Sequence, residues 1–256
     1  MRALFILFSL IGLLSAQNQT GYEIMQQALN KKSWKDMKAD LSLEMINARG
    51  ETRSRKIAFF SSDDRHGLNR MLMRFTAPAD VRGTGFLTLE TASGDEERYL
   101  YLPALRRVKK IAASGSGGNF MSSDFTYYDI GKPKLEDWKY RLLDEEIVHD
   151  KLCYKIECLP ANGDIVKDTG YGKIIRWIEK VRLNTIQSLY YDQGLKEWKR
   201  LTVNQNIEIK GIDFASDMTM EDLQIQHRSR MSFSGLEVDT GIPDNFFSIR
   251  YLQRGR

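Results

Sequence analysis

Most of this sequence alternates apolar and polar residues with a period of two, and short turn signals separate the alternating runs. Every second residue in 39–45 is apolar, and residues 47–50 turn the chain into a second predicted strand at 53–60, which makes a hairpin. Such alternation indicates strands with one buried face. Helices of the length that parallel crossovers require do not separate the runs. The sequence therefore predicts a mainly β (α+β) fold: an open, curved antiparallel sheet, or unclosed β-barrel, of about eleven strands, with short helices covering its concave face.

Two short helical segments are predicted. Thr20 and Glu23 have the spacing of a capping box, and an apolar stripe follows them until Lys31. A second helical turn is expected near residues 122–130 and ends at Gly131. These segments are too small to fill the concave face of so many strands. We therefore expect an apolar hollow with space for a guest molecule.

The first sixteen residues have the order of a secretory signal peptide. Arg2 precedes an apolar run at 3–14, and the small residues Ser15 and Ala16 come before polar Gln17. The apolar run is too short to span a bilayer, and it is not followed by the cysteine that a lipoprotein signal would need. We expect residues 1–16 to be removed, leaving residues 17–256 as a single, exported β domain that is not itself a lipoprotein. An uncleaved anchor or a buried helix is the alternative.

Charge and residue usage argue against several classes of function. Lys and Arg total 38 and Asp and Glu total 34, giving a net charge of +4, and the charges are dispersed, which does not suggest nucleic-acid binding. Glu146 and His149 have the spacing of a helical metal pair but lie in a segment that reads as a strand. His227 also fits a half-buried strand better than a catalytic triad. We expect no enzyme activity, no metal site and no cofactor.

Cys153 and Cys158 lie in an alternating run that reads as a strand. Five residues along an extended chain span roughly 16 Å and place the two side chains on opposite faces. That separation is too long for a disulfide. We therefore expect two small buried side chains, with a redox pair as the weaker alternative.

Apolar and aromatic residues on the predicted strands are the candidates for the wall of the hollow. Methionine fits irregular apolar surfaces, and aromatic rings provide broad contact. An ordinary packed core is the alternative explanation for any one of them. The candidates are Met71, Met73, Phe75, Leu87, Leu89, Tyr99, Tyr101, Trp177, Val181 and Leu183.

Three blocks of the sequence, at 74–87, 99–111 and 118–130, resemble in order and spacing three blocks of the LolA-like outer-membrane lipoprotein-sorting protein family. Later pieces at 177–180, 191–194 and 242–247 agree more loosely. The likeness spans almost all of the chain after residue 16. Motif or structural positions within the blocks are Pro78, Gly83, Asp124, Phe125 and Asp129.

This resemblance implies an unclosed antiparallel β-barrel whose helices form a lid over a hydrophobic cavity. It also implies a periplasmic carrier or chaperone that binds a lipid or the acyl chains of a lipoprotein and passes them towards the outer membrane. Its partners would be an inner-membrane transporter and an outer-membrane acceptor, and we expect a monomer. The alternative is a noncatalytic periplasmic accessory subunit of an RND-type envelope exporter.

A basic segment within the second block contains Arg106, Arg107, Lys109 and Lys110. On a strand these four cations would point to both faces, so we expect an edge strand or an exposed extension. The segment could dock on anionic head groups or on an acidic partner protein. The alternative is that the charges only protect an edge against aggregation. Asp124 and Asp129 would either cap the short helical turn or receive one of these cations.

Overall fold

The computed structural model describes residues 19–31 and 33–254, and the predicted signal segment 1–16 lies outside them. The described residues form thirteen strands and four short α-helices. The helices are α1 (Gly21–Leu29), α2 (Tyr127–Ile130), α3 (Gly163–Thr169) and α4 (Ile249–Arg254). The strands are β1 (Asp36–Ile46), β2 (Thr52–Asp63), β3 (Asn69–Ala77), β4 (Gly85–Glu90), β5 (Glu96–Leu102), β6 (Arg107–Ile111), β7 (Trp138–Val148), β8 (Lys151–Pro160), β9 (Lys173–Glu179), β10 (Thr185–Tyr191), β11 (Glu197–Ile209), β12 (Ile212–Asp222) and β13 (His227–Val238).

All the strands belong to one sheet, in the order β6-β5-β4-β3-β2-β1-β13-β12-β11-β10-β9-β8-β7. The chain runs outward from β1 to β6 through hairpins and passes to the opposite edge at β7. It then returns through hairpins until β13 pairs with β1 in antiparallel register. The edge strands β6 and β7 do not pair with each other, so the sheet is open. The predicted open antiparallel architecture is confirmed.

The sequence underestimates the number of strands because the last hairpin alternates weakly. On β13, Ser229 occupies a fully buried position where alternation would favour an apolar residue. Its neighbour Arg230 points to the other face and forms an ion pair with Asp217 of β12 at 2.6 Å. Polar residues therefore occur on both faces of β12 and β13, and the period-two signal is lost there.

Two layers cover one face of the sheet, which we call the inner face. The first is α1, where Ile24 and Met25 are buried and Thr20 forms the predicted capping box with Glu23. The second is the covering segment, residues 112–131, which includes α2 and places Phe120 and Phe125 in the main core. The segment contacts distant strands, because the backbone of Asp124 bonds to β13. The predicted helices and their position over the sheet are therefore confirmed.

The opposite, outer face is also partly covered. Leu72 and Leu87 pack there against Phe247 and Leu252 of the C-terminal segment that contains α4. A second outer cluster forms on β8, β9 and β10 around Ile175. Both sides of this sheet therefore bury apolar residues, and apolar character alone does not identify the inner face.

The two cysteines lie on opposite faces of β8. Cys153 belongs to the outer cluster and Cys158 to the main inner core. Both are buried free thiols. The strand geometry predicted from their spacing is confirmed. None of the helices in the described ranges has the length and apolarity needed to cross a bilayer.

Candidate functional site

A cavity of about 340 Å³ lies between α1, the covering segment and the inner face of β7 and β9–β12. Pockets of about 300–1,000 Å³ are typical of small-molecule sites. Three different layers supply its wall, so a displacement of either cover would enlarge it. Its apolar wall includes Met25, Ala28, Leu29, Leu183, Met218 and Met220.

The position of α1 depends on one glycine. A Cβ atom on Gly21 would lie 2.7 Å from the backbone nitrogen of Leu142 on β7, so a larger residue would push the helix away from the strand. With the helix start fixed there, Met25, Ala28 and Leu29 follow at helical spacing and turn towards the cavity. The local sequence of α1 thus produces one apolar wall of the site.

Aromatic contacts fix the covering segment over the other half of the sheet. The ring of Phe120 lies 5.3 Å from that of Phe86 and 6.2 Å from that of Phe75, measured between centroids. Tyr127 stacks edge-on against the same Phe120 ring at 5.5 Å. These rings fill the inner face above β3 and β4, which explains why the cavity lies towards β9–β12.

Polar contacts hold the centre of the covering segment. The Asp124 carboxylate contacts Nδ1 of His227 at 2.7 Å and accepts a hydrogen bond from the Ser229 hydroxyl at 2.6 Å. The buried ammonium of Lys199 donates to the carbonyl of Asp124 at 2.7 Å. We call these four residues the Asp124 clamp. It joins the segment to β11 and β13.

The hydrogen bonds of the Asp124 clamp differ from those of a catalytic triad. In a triad the histidine contacts the nucleophilic hydroxyl, whereas here His227 and Ser229 both contact the same carboxylate. Ser229 is also fully buried. The arrangement can fix a loop, and its geometry does not activate a nucleophile.

One side of the cavity is polar and contains Arg176 of β9, bordered by Tyr128, Tyr140 and Tyr190. Arg176 donates to the Ser188 hydroxyl at 3.3 Å. The Tyr128 hydroxyl accepts a bond from the indole of Trp138 at 2.8 Å. Burial raises the pKa of Tyr190 to about 12, and it raises the pKa of Tyr128 and Tyr140 as well. The phenols therefore stay neutral around the cation at physiological pH.

A second polar group lies where β9 turns into β10. Lys31 donates to the side chain of Asn184, which donates in turn to Asp213 at 3.1 Å. Partial burial lowers the pKa of Lys31, an effect that the nearby carboxylate of Asp213 opposes. Asp213 also accepts a bond from Arg182 at 2.7 Å, so its charge is already paired.

The structure divides the ten predicted wall residues among several places. Met71, Met73 and Phe75 lie in the main inner core under the covering segment. Leu183 lines the cavity itself. These four lie on the inner face, as expected for residues of a concave wall.

The other six lie outside the inner face, so the expectation that all ten share one hollow is wrong. Four of them belong to the outer cluster beneath α4, where Leu87 pairs in register with Tyr99, and Trp177 lies in the second outer cluster. Val181 is 88% exposed in the turn after β9. The alternation along these strands was predicted correctly, but the side that faces inward was misassigned. The reason is that α4 covers the outer face, so that face is apolar too. The residues placed on the outer face are Leu87, Leu89, Tyr99, Tyr101 and Trp177.

The predicted motif positions have structural contacts. Gly83 has a φ of +82° and its N–H donates to the carbonyl of Phe75 at 2.8 Å, in the turn that begins after Pro78. Phe125 is buried and lines the cavity. Asp129 completes a capping box with Thr126, which is the capping role considered for it from the sequence. Asp124 forms the clamp described above and does not cap α2.

The basic segment occupies the edge strand β6. Its four cations are exposed, and Arg106 adopts a left-handed conformation just before the strand. Lys109 pairs in register with inner-face Leu100, whereas Lys110 pairs with outer-face Tyr99, so the charges point to both faces. Lys110 also forms an ion pair with Glu97 at 2.6 Å. The prediction of an exposed edge is confirmed, and Arg107 and the other cations are free of contact with Asp124 or Asp129.

Sequence reasoning missed Arg176 and the residues of α1 that line the cavity. The signal for Arg176 was present, since it lies between Ile174 and Ile178 at the positions of β9 that face the inner core. A charged residue at an inward-facing position of a strand is unusual, and here it marks a polar part of the cavity wall.

One family model covers most of the chain. Residues 67–254 match the model of a family described as "Uncharacterized protein". The chain belongs to this family. None of the curated proteins matches the chain.

Solved structures relate the chain to the LolA-like group. A putative outer membrane lipoprotein-sorting protein domain from Vibrio parahaemolyticus is 28% identical, with a TM-score of 0.84 over 91% of this chain and 98% of that chain. A DUF1329 family protein from Desulfovibrio piger is 26% identical, with a TM-score of 0.84 over 91% and 97%. A LolA superfamily protein from Nitrosomonas europaea shares the fold, with 16% identity and a TM-score of 0.71 over 91% and 100%. The resemblance to the lipoprotein-sorting, LolA-like group is confirmed.

Proposed function

We propose that this protein is a periplasmic, noncatalytic carrier that binds a lipid, or the acyl chains of a lipoprotein, and passes them towards the outer membrane. The observation that carries the proposal is the cavity between α1, the covering segment and the inner face. The similarity to a structure described as a lipoprotein-sorting domain supports it. The comparisons do not favour an exporter accessory subunit. In this proposal residues 1–16 direct export, and the carrier works as a monomer.

The energetics of the cavity suit an acyl ligand. Burying about fourteen methylenes contributes roughly 11 kcal/mol, at about 0.8 kcal/mol each, before ordering costs are subtracted. Such a ligand needs mostly apolar surface, which Met25, Leu29, Met218 and Met220 supply. Methionine side chains adapt to chains of different shape.

A complete acyl chain requires more space than the closed structure offers, and the covers provide it. When the covering segment moves, Phe120 leaves the rings of Phe75 and Phe86. The inner-face residues Met71 and Met73 are then available to the cargo. Opening for loading and closing after release would let the carrier hand over its guest.

The basic segment is the proposed docking element of the carrier. Arg106, Arg107, Lys109 and Lys110 lie together at the β6 edge and are exposed. Four cations on an edge strand suit an anionic membrane surface or an acidic patch on the transporter or acceptor. Docking at this edge would bring the cargo to its donor or acceptor without covering the cavity.

The experiment that tests the proposal is extraction of bound lipid from the protein purified from the cell envelope, followed by mass spectrometry. We expect close to one lipid per chain. Ala28→Trp fills the cavity from α1 and should remove the lipid, whereas Gln27→Trp, at the exposed neighbouring position, should retain it. A wild-type chain that carries no lipid and takes up none from vesicles would contradict the proposal. Equal lipid content in both variants would place the guest elsewhere.

A further inference from the structure

Arg176 presents a cation to the cavity that is not matched by a carboxylate. Its neighbours on β9, Ile174 and Ile178, belong to the inner core, so the guanidinium points to the inner side of the sheet. Within residues 19–31 and 33–254 it takes part in none of the ion pairs, and it donates a hydrogen bond to the neutral hydroxyl of Ser188 at 3.3 Å. Tyr190, Cys158, Tyr128 and Tyr140 are titratable groups near it, and all four are neutral when protonated.

The two carboxylates that line the same cavity are already occupied. Asp129 accepts bonds from Thr126 and from the Tyr171 hydroxyl, the latter at 2.8 Å. Asp213 accepts bonds from Arg182 and Asn184. Each carboxylate thus has donors of its own, and the charge of Arg176 is left facing the cavity.

An unpaired charge inside a protein is unfavourable because it has lost water and gained no opposite charge. The guanidinium of Arg176 borders a cavity, so an anion bound there could supply the opposite charge. Arginine is suited to this role because its planar guanidinium binds the two oxygens of a carboxylate or phosphate together. The phenol hydroxyls of Tyr140 and Tyr190 border the same space and can donate to further oxygens.

We propose that Arg176 binds the anionic head group, a carboxylate or phosphate, of an acyl ligand whose tail lies against the apolar wall of the cavity. The proposal rests on the carrier function and names the class of its cargo: anionic amphiphiles are preferred over neutral ones of the same chain length. Met218 and Met220 supply the apolar part of the cavity for the tail.

The head-group preference of the wild-type protein is the first test. Binding of dodecanoate, dodecyl phosphate, dodecanol and dodecyltrimethylammonium is measured by calorimetry below their micelle concentrations. We expect the two anions to bind at least about tenfold more tightly than dodecanol, and the cation most weakly. Equal affinities would overturn this inference and leave the carrier function standing, whereas no binding of any chain would contradict the carrier function itself. Inorganic phosphate that binds as tightly as dodecyl phosphate would show a free-anion site and overturn the lipid assignment.

Substitutions of Arg176 then test whether this residue causes the preference for anionic head groups. Arg176→Gln should lose the preference for anions and keep the affinity for dodecanol, and Arg176→Lys should keep part of the preference. Arg200→Gln is the matched control, because Arg200 lies on β11 of the same sheet, pairs with Glu221 and does not line the cavity. We also expect Arg176→Gln to melt no lower than the wild type, since it removes an unmatched, half-buried charge. A large loss of stability with an unchanged head-group preference would give Arg176 a structural role and overturn the inference. The wild-type measurement decides the question even if a variant fails to fold.

Discussion

Nδ1 of His227 lies 2.7 Å from Oδ2 of Asp124, although 103 residues separate them in the chain. Asp124 is in the middle of the covering segment and His227 is the first residue of β13, so their contact holds the cover to the sheet. Ser229 and Lys199 add bonds at the same point. The cover of the cavity is therefore anchored by a small set of polar contacts that a single substitution can break.

Asp124→Ala should loosen the covering segment and destabilise the protein. The change leaves Ser229 and His227 without their shared acceptor in a buried place, which costs about 1–3 kcal/mol. Chemical denaturation measures the loss, and hydrogen exchange should rise mainly in residues 112–131. Asp164→Ala is the control, because Asp164 is exposed and its side chain forms a surface ion pair with Lys167. Equal effects of the two substitutions would show that the Asp124 clamp does not hold the cover.

Replacing Arg106, Arg107, Lys109 and Lys110 together by Glu should impair delivery more than folding. The four side chains are exposed, so the melting temperature should change little. Attraction to anionic membranes falls steeply when basic residues are reversed, and we expect binding to vesicles that contain phosphatidylglycerol to weaken at least about tenfold. A sedimentation assay measures the binding, with neutral phosphatidylcholine vesicles for comparison.

The control for the basic segment is a second fourfold reversal of equal charge on exposed residues elsewhere. Arg49, Lys56, Arg65 and Lys139 serve this purpose. Unchanged vesicle binding and an unchanged transfer rate in the β6 variant would leave the segment only the role of protecting a sheet edge. Equal losses in both variants would show a general effect of net charge.

The sequence predicted the antiparallel open sheet because alternation and hairpin turns are local signals. It also predicted α1 and the isolation of Cys153 from Cys158. It did not determine which apolar face is inward, since that depends on α4 returning from the far end of the chain to cover Leu87 and Tyr99. The spacing of Arg176 from Ile174 and Ile178 could have marked it as a charge on the inner face, but only the structure places a cavity beside it.

The Asp36 carboxylate should make the protein sensitive to acid. Burial acts to raise its pKa, but hydrogen bonds from the N–H groups of Thr240 and Gly241 and from the Thr240 hydroxyl outweigh burial and lower it below the usual value. Ionised Asp36 therefore adds to the free energy of unfolding at pH values above about 4, the pKa of the carboxyl in the unfolded chain. This stabilisation is lost as the pH falls through the lower pKa of the folded state. Denaturation curves from pH 6 to pH 2 should show a shallower acid decline for Asp36→Asn than for the wild type.

The exposed residue Asp80 provides the comparison for the acid experiment. Asp80→Asn should follow the wild-type curve. If Asp36→Asn also followed that curve, the contacts of Asp36 with Thr240 and Gly241 would not contribute to the pH dependence of the free energy of unfolding.

The two thiols should remain free and unreactive in the native protein, even under oxidising conditions. Cys153 and Cys158 face opposite sides of β8, and burial raises the pKa of Cys158 to about 11, which suppresses the thiolate. A thiol reagent should therefore modify both residues in denaturant and neither rapidly in the folded state. A disulfide within the chain would contradict the strand geometry.

Quenching of single tryptophans by a brominated acyl chain tests the carrier account most directly. Trp138 lines the cavity, whereas Trp177 lies in the outer cluster, and chains that retain only one of the two, with Phe at the other tryptophan positions, separate the two faces. The account predicts that a fatty acid brominated at mid-chain quenches Trp138 and saturates at one ligand per chain, with Trp177 unaffected. Equal quenching of both residues, or quenching of Trp177 alone, would contradict an acyl chain bound beneath α1 and the covering segment.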